Sequence, residues 1–450
     1  MGSKRTIDQW SLKYWAIKYL WAKQTFKLYY RKLELHNVKI ISRNRPVILA
    51  PNHQNALMDA LSIVIQVPFQ TIFMARADIF KKPFFIKILT ILKISPIYRI
   101  RDGISSLSKN EEVFDETTRI LRNHYNPLCL FPEGNHGDKR RLRPLVKGIF
   151  RIALKAQSEY KDKPGIQIIP VGIDYKHYQK FRQTLFVNFG EPIEVSEYWS
   201  QYEENPAVAV NALRERLATE MRKYMIDIQT EEYYDTYMEL REVYRPEMYK
   251  RLGAKSDSLY DRFKADKELI SKLDKTLESN PDKIGAIDSK FKRYAEIRDK
   301  LNFRNWTFKR TNYSILLNIL QIVALVVLSP LFLFGLFNNW PHYYFPMKFS
   351  KKIKDPQFRS TATWGMGVVI QAIYYIILIT LAFIFSPIWW LAFIYVVVLP
   401  YSGLLAWWMR KIFIKAIARL RFKFALKKSA ELQEAIQLRA DIINDLNSIV

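Results

Sequence analysis

The sequence is short of the residues that mark a secreted scaffold or a metalloprotein. One cysteine, Cys129, stands in 450 residues, so an intrachain disulfide is excluded. It sits in the apolar run PLCLF, and the expected state is a buried, inert thiol. Six histidines and that one thiol leave little from which to build a zinc site. No glycine-rich nucleotide loop is present. No short apolar core followed by a small-residue cleavage site occurs near the start, so no cleaved leader is expected. Acidic residues are also scarce. Against 70 Lys and Arg there are 43 Asp and Glu, a formal net charge of +27, which calls for a negatively charged partner. Nucleic acid and an anionic membrane surface are the two classes to weigh.

Two long uncharged runs decide between them. Ser314 to Phe337 carries no charge, and neither does Thr361 to Met409. A span needs roughly 20 apolar residues, so the first run fits one crossing and the second fits two. No soluble nucleic-acid binder requires this, and neither stacking-platform nor groove-helix motifs occur. The expectation is a membrane protein with no nucleic-acid partner. Basic residues bound every run: Lys309 and Arg310 before the first, Lys348, Lys351, Lys352 and Lys354 between, and Arg410, Lys411 and Lys415 after. Positive flanks face the cytoplasm. One plain crossing by the first run would put the 348–354 loop outside, and Ser329–Pro330 within it favours a bent or re-entrant hairpin.

The remainder divides by pattern. Residues 1–43 hold an aromatic–lysine stretch in which Trp10, Tyr14, Ile17, Trp21 and Leu28 can share a helical face, the composition of an interfacial amphipathic helix. A helix packed in a soluble core is the alternative. Residues 44–199 alternate short apolar runs (PVILA, TIFMA, PLCLF, IQIIPVGIDY, TLFVNFG) with helical stretches. Such continuous runs read as strands buried on both faces, giving an α/β fold with a mixed, largely parallel sheet flanked by helices. Residues 200–312 read as charged helix without a chemical motif, 313–409 as membrane-embedded, and 410–450 as a basic cytoplasmic helix.

Three local patterns carry chemistry. His53 follows the strand PVILA, with Asp59 six residues on. An imidazole can take a proton from an attacking hydroxyl while a carboxylate fixes its tautomer; a histidine capping a helix start would look the same in isolation. Phe131-Pro132-Glu133-Gly134 follows another strand and leads into Lys139, Arg140, Arg141, Arg143 and Lys147. Its glycines permit tight turns and its cations suit a phosphate ester, although a solvated basic loop would share that composition. Arg99 and Arg101 follow a third strand-like run, where a guanidinium can clamp a phosphate.

Taken in order, these blocks resemble the glycerolipid acyltransferase family, which includes glycerol-3-phosphate, dihydroxyacetone-phosphate and lysophosphatidate acyltransferases. The matching blocks are His53/Asp59, Arg99, Phe131 to Gly134, and Pro170, within residues 44 to 195. The resemblance implies that His53 is the general base and Asp59 its partner. It implies that Arg99 and the Glu133-Gly134 turn bind the acceptor phosphate, with Arg101 and Lys147 as further candidates. It also implies a direct transfer of the acyl group from coenzyme A or acyl carrier protein to the hydroxyl of glycerol 3-phosphate or dihydroxyacetone phosphate. No resident cofactor or metal is expected, and the partners are membrane lipids, the thioester donor and the phosphate-bearing acceptor. Two departures stand out: five residues rather than four separate His53 from Asp59, and FPEG continues as Asn135-His136-Gly137-Asp138. Both resemble the branch that acylates the first position of an unacylated glycerol phosphate. A lysolipid acceptor, or a lipid-binding protein without catalysis, are the competing readings.

Overall fold

A computed structural model of the chain describes residues 7–76, 80, 83–97, 106–123, 126–160, 165–255 and 257–450. It separates into two units, one of residues 1–227 with 353–361 and one of 228–352 with 362–450.

The first unit is built on an eight-stranded sheet: β1 (Lys32–His36), β2 (Val47–Pro51), β3 (Ile72–Arg76), β4 (Ile94–Ile97), β5 (Leu128–Cys129), β6 (Gln167–Tyr175), β7 (Thr184–Phe189) and β8 (Ile193–Glu194). Seven strands lie in the order β1-β7-β6-β2-β5-β3-β4, and β8 adds to β6. Pairing is parallel throughout except where β6 meets β7 and β8. The sheet is therefore mixed and largely parallel, as the continuous apolar runs implied. Every residue of β2, β6 and β7 is buried, the signature of strands covered on both faces. Helices Ser106–Asn123, Gly148–Gln157 and Pro206–Tyr224 bring Ile120, Phe150, Leu154, Leu213 and Leu217 into one core with Ile48, Ala50 and Ile168.

The sheet starts earlier than residue 44 and its cover ends later than 199. Strand β1 has the sequence KLELH, and all five residues are only half-buried at the sheet edge, so no continuous apolar run marks it. The helix Pro206–Tyr224 contributes to the same core, capped by Asn205, whose side chain accepts from the Ala207 and Val208 N–H groups.

The aromatic–lysine segment is helical from Leu12 to Tyr29, with a π-helical stretch at Ile17–Ala22. That wider turn shifts the phase of the helix, and the faces divide differently from the even periodicity of the sequence. Tyr14, Lys18, Ala22, Phe26 and Tyr29 turn inward, while Trp10 and Leu20 are 66% and 68% exposed and Trp15 and Trp21 also face out. The Lys18 ammonium donates to the Val67 and Phe69 carbonyls, at 2.6 Å each. The segment is thus both a packed helix and an outward aromatic surface.

The second unit pairs helix Tyr234–Arg251 with Leu259–Ser279, and Pro281–Lys300 with Ala430–Asn447. A buried Asp266 receives two hydrogen bonds from Arg245, at 2.8 and 2.9 Å, and Lys290 bonds Asp445 at 2.6 Å. Among the described residues two helices are long and apolar enough to cross a membrane, within Pro356–Phe385 and Trp389–Leu426. The run from Ser314 forms a third candidate broken in two, Ile315–Val327 and Ser329–Ser350, bent by 60°. Pro330 at the start of the second half supplies no N–H, which accounts for the break. Helix Ser329–Ser350 packs on Trp389–Ala425 through small residues: a side chain at Gly335 would run into the Ser402 carbonyl at 2.2 Å. The Asn339 amide bonds Ser402 Oγ at 3.0 Å and accepts from the Tyr375 hydroxyl at 2.6 Å, a polar clasp between helices with apolar exteriors.

Candidate active site

Strands β2 and β5 are parallel neighbours, with Leu49 opposite Cys129. Their carboxyl ends therefore emerge side by side, the place where open α/β sheets hold their ligands. The loop after β2 carries His53 and the loop after β5 carries Phe131 to Gly134, and the two are stitched together. The His53 N–H donates to Glu133 Oε1 at 2.8 Å, and the Gly137 N–H to the His53 carbonyl at 3.1 Å. The imidazole of His53 stacks on Phe131, ring centres 4.0 Å apart. Asn52 anchors the loop from below through both ends of its amide, to the Ile173 carbonyl (3.2 Å) and the Ile173 N–H (2.6 Å).

His53 Nδ1 lies 2.9 Å from Asp59 Oδ2. Reaching that partner over six positions takes an extra turn residue. Ala56 supplies it with a φ of +41°, a left-handed conformation that few alanines adopt, just where the helix Ala56–Val64 begins. The carboxylate of Asp59 is fully buried and fully engaged. Oδ2 also accepts from the Gln54 and Asn55 N–H groups at 2.7 Å each, and Oδ1 accepts the Tyr175 hydroxyl at 2.8 Å. Burial first, then the Asp59 charge, pushes the Tyr175 phenol well above its ordinary pKa, so it stays a proton donor to that carboxylate. An ionised carboxylate only accepts, so Nδ1 carries the imidazole proton and Nε2 carries the lone pair. That is the state in which a histidine can receive a proton from a hydroxyl.

The turn after β5 is tight because Gly134 has a φ of +65°, and a Cβ there would come within 2.9 Å of Val146. The carboxylate of Glu133, expected to face an acceptor phosphate, turns inward instead. It holds the His53 N–H on one oxygen and Arg143 Nε, at 2.9 Å, on the other. Burial raises its pKa while Arg143 and the His53 N–H pull it back. A buried carboxylate engaged on both oxygens cannot serve an anion, so Glu133 is a brace between the two loops. Of the basic run, Arg140 is spent on structure, with Nε 3.0 Å from Asp174 and a further bond to the Tyr175 carbonyl. Arg143 keeps a 30% exposed side chain beside the dyad. Lys147 is exposed at the cap of helix Gly148–Gln157. Arg99 and Arg101 lie outside the described residues.

Asn52 and Tyr175 carried no individual signal in the sequence, and Arg143 stood there only among the cations suited to a phosphate ester. Asn52, Tyr175 and Arg143 hold the dyad and its brace, and His136 stands edge-on to His53 with ring centres 5.5 Å apart. His136 Nε2 is 2.9 Å from Asp355 Oδ2, in the segment between two apolar helices. Partial burial pushes the Asp355 carboxyl up, but the bonds from His136 and the Gln357 N–H hold it below its usual range.

The His–Asp dyad and the FPEG turn thus stand side by side at the ends of adjacent parallel strands. Residues 32–174 match the family model described as Acyltransferase. The chain is 35% identical over 96 residues to glycerol-3-phosphate O-acyltransferase 1 of Saccharomyces cerevisiae, covering 21% of this chain and 12% of that protein. To glycerol-3-phosphate O-acyltransferase 2 of the same yeast it is 25% identical over 166 residues, 36% of this chain and 21% of the relative. To human 1-acyl-sn-glycerol-3-phosphate acyltransferase beta it is 23% identical over 181 residues, 40% of this chain and 57% of the relative. The chain thus spans about an eighth to a fifth of the yeast relatives. Among solved structures it is similar to the 1-acyl-sn-glycerophosphate acyltransferase PlsC of Thermotoga maritima. The identity is 20% and the TM-score 0.32, over 46% of this chain and 79% of that one.

Proposed function

We propose that this protein is a membrane-anchored acyltransferase. It moves a fatty acyl group from an acyl thioester of coenzyme A or acyl carrier protein to the hydroxyl of glycerol 3-phosphate or dihydroxyacetone phosphate, in phospholipid biosynthesis. The observation that carries this reading is the 2.9 Å contact of His53 Nδ1 with a buried Asp59, which leaves Nε2 as the base. In the step so served, Nε2 takes the acceptor's hydroxyl proton as that oxygen attacks the thioester carbonyl carbon. The tetrahedral species collapses with breakage of the C–S bond, and the imidazolium returns the proton to the departing thiolate. Asp59 stabilises the imidazolium in between. Arg143 and Lys147 would offer basic groups to the phosphate, and the resemblance assigns Arg99 and Arg101 to the same task. Both yeast relatives carry glycerol 3-phosphate in their names, and the unusual spacing from His53 to Asp59 points to the same branch.

The name of the human relative supports a second acceptor, lysophosphatidate. Acyl transfer in purified membranes, with glycerol 3-phosphate, dihydroxyacetone phosphate and lysophosphatidate offered side by side, decides between them. Turnover of lysophosphatidate alone would overturn the first reading, and turnover of none would overturn both.

Charge and connectivity support a cytoplasmic face for the catalytic unit. Basic residues flank each apolar run, and the 353–361 segment belongs to the catalytic unit, so it shares that unit's side of the bilayer. The described chain before Ser314 holds no candidate span, so the first run also begins on that side. A run that starts and finishes on one side enters and returns, which fits the 60° break at Leu328. Helices Arg359–Phe385 and Trp389–Ala425 then cross and return. Outward Trp10, Trp15, Leu20 and Trp21 would seat the catalytic unit on the lipid surface.

A further inference from the structure

The segment from Ile353 to Thr361 joins two apolar helices, yet it packs as part of the catalytic unit. Its inward groups all reach the loops that carry the dyad. Asp355 bonds His136 at 2.9 Å, and the Phe358 ring meets the same imidazole edge-on, with ring centres 5.0 Å apart. Ser360 is fully buried, and its hydroxyl donates to Asn55 Oδ1. Beyond these first contacts stands the dyad itself. The Asn55 N–H binds Asp59 Oδ2 at 2.7 Å, and His136 lies edge-on to His53. The segment is also stiffened from within. Asp355 Oδ1 accepts the Gln357 N–H at 3.1 Å, Pro356 follows, and Arg359 Nε closes the turn on the Ile353 carbonyl, also at 3.1 Å. A linker that merely connected two spans would be solvated; this one buries a serine with its hydroxyl satisfied.

We infer that residues 353–361 are a working part of the acyl-transfer site, with Asp355 and Ser360 as positioning residues that hold His136 and Asn55 against His53 and Asp59. The inference rests on the acyl-transfer reading above. Displacing reacting groups by about 1 Å can cost on the order of a hundredfold in rate, and a general base is only as well placed as the groups that lock it. Two clasps from one loop reach the dyad by separate routes, one through His136 and one through Asn55. Both ends of the segment continue into apolar helices. Removing either clasp should therefore slow the chemical step without weakening either substrate's binding.

The test uses the full chain in membranes, with Asp355→Ala, Asp355→Asn, Ser360→Ala and His53→Ala. We expect kcat to fall about 10- to 100-fold in both loop alanine variants, with KM for acceptor and for thioester within about twofold of the parent. Asp355→Asn, which keeps an acceptor oxygen for His136, should recover most of the loss. Hydrogen exchange of the same proteins should show residues 357–360 protected in the parent and opened in the alanine variants, while β2 and β6 stay protected. Parental kcat in both alanine variants, or exchange of 357–360 at free-peptide rates in the parent, overturns the inference. If a variant loses protection in β2 and β6 as well, the parent's exchange and the asparagine variant decide the matter. Full activity in His53→Ala would overturn the acyl-transfer reading itself. Activity lost there but kept in the loop variants would overturn the loop's role alone.

Discussion

Replacing Asp59 with Asn changes charge and little else, which makes it the sharpest probe of the dyad. The amide can keep an oxygen where Oδ2 now accepts from His53 Nδ1, Gln54 N–H and Asn55 N–H. Its NH2 then falls opposite the Tyr175 hydroxyl, which can rotate to accept. The loop should keep its shape, and the variant should be extracted from membranes and melt much as the parent does. What disappears is the negative charge that stabilises the imidazolium formed during transfer. Two unit charges about 4 Å apart interact by about 4 kcal/mol at an effective dielectric constant of 20. At about 1.4 kcal/mol for each factor of ten, that corresponds to a rate loss on the order of 10³.

Tyr175→Phe grades the same effect. It leaves the charge and removes one hydrogen bond to it, worth roughly 1.5–3 kcal/mol, so its loss should fall between that of the parent and that of Asp59→Asn. The assay is release of free thiol from an acyl thioester at saturating glycerol 3-phosphate, with kcat and KM separated. A folded Asp59→Asn protein within about threefold of parental kcat would refute the reasoning. It would mean that the carboxylate beside His53 holds the loop but takes no part in the proton transfer.

Three other outcomes can be stated. Arg99→Ala should raise KM for glycerol 3-phosphate more than KM for the thioester, and lysine there should restore only part, since a point charge lacks the paired contacts of a guanidinium; a shift in the donor's KM alone would move Arg99 to the donor site. Single cysteines introduced at Lys351 and at Pro387 should differ in labelling by an impermeant maleimide, the first reacting from the catalytic side and the second from the other; reaction of Lys351→Cys from the far side would replace the re-entrant hairpin by a plain crossing. Burial lowers the Lys18 pKa from 10.5 to about 7, with help from Lys23, so between those values the unfolded chain binds more protons and stability rises with pH. The thermal midpoint of the parent should therefore climb from pH 7 to 10 more than that of Lys18→Met, and equal slopes would show that Lys18 is solvated.

What the sequence discloses and what it conceals divide along the range of the interactions involved. Strands β2, β5, β6 and β7 could be read directly because burial on both faces leaves an unbroken apolar run, a local property. Strand β1 escaped because an edge strand packs one face weakly, and KLELH shows no such run. His53 and Asp59 could be named as candidates, but their contact depended on the left-handed Ala56, which no spacing rule announces. Glu133 is assigned to a phosphate site only by resemblance, and its contact with Arg143, ten positions on, is one that no local pattern announces. The N-terminal helix shows the same limit in another form, since the face expected to join Trp10, Tyr14 and Trp21 divides in the fold, with Tyr14 in and both tryptophans out. Least legible of all was the loop at 353–361, whose contacts to His136 and Asn55 span 219 and 305 positions. Its lysine-flanked composition is that of any cytoplasmic connection between spans. Only the fold shows that this connection reaches the loops beside His53 and Asp59.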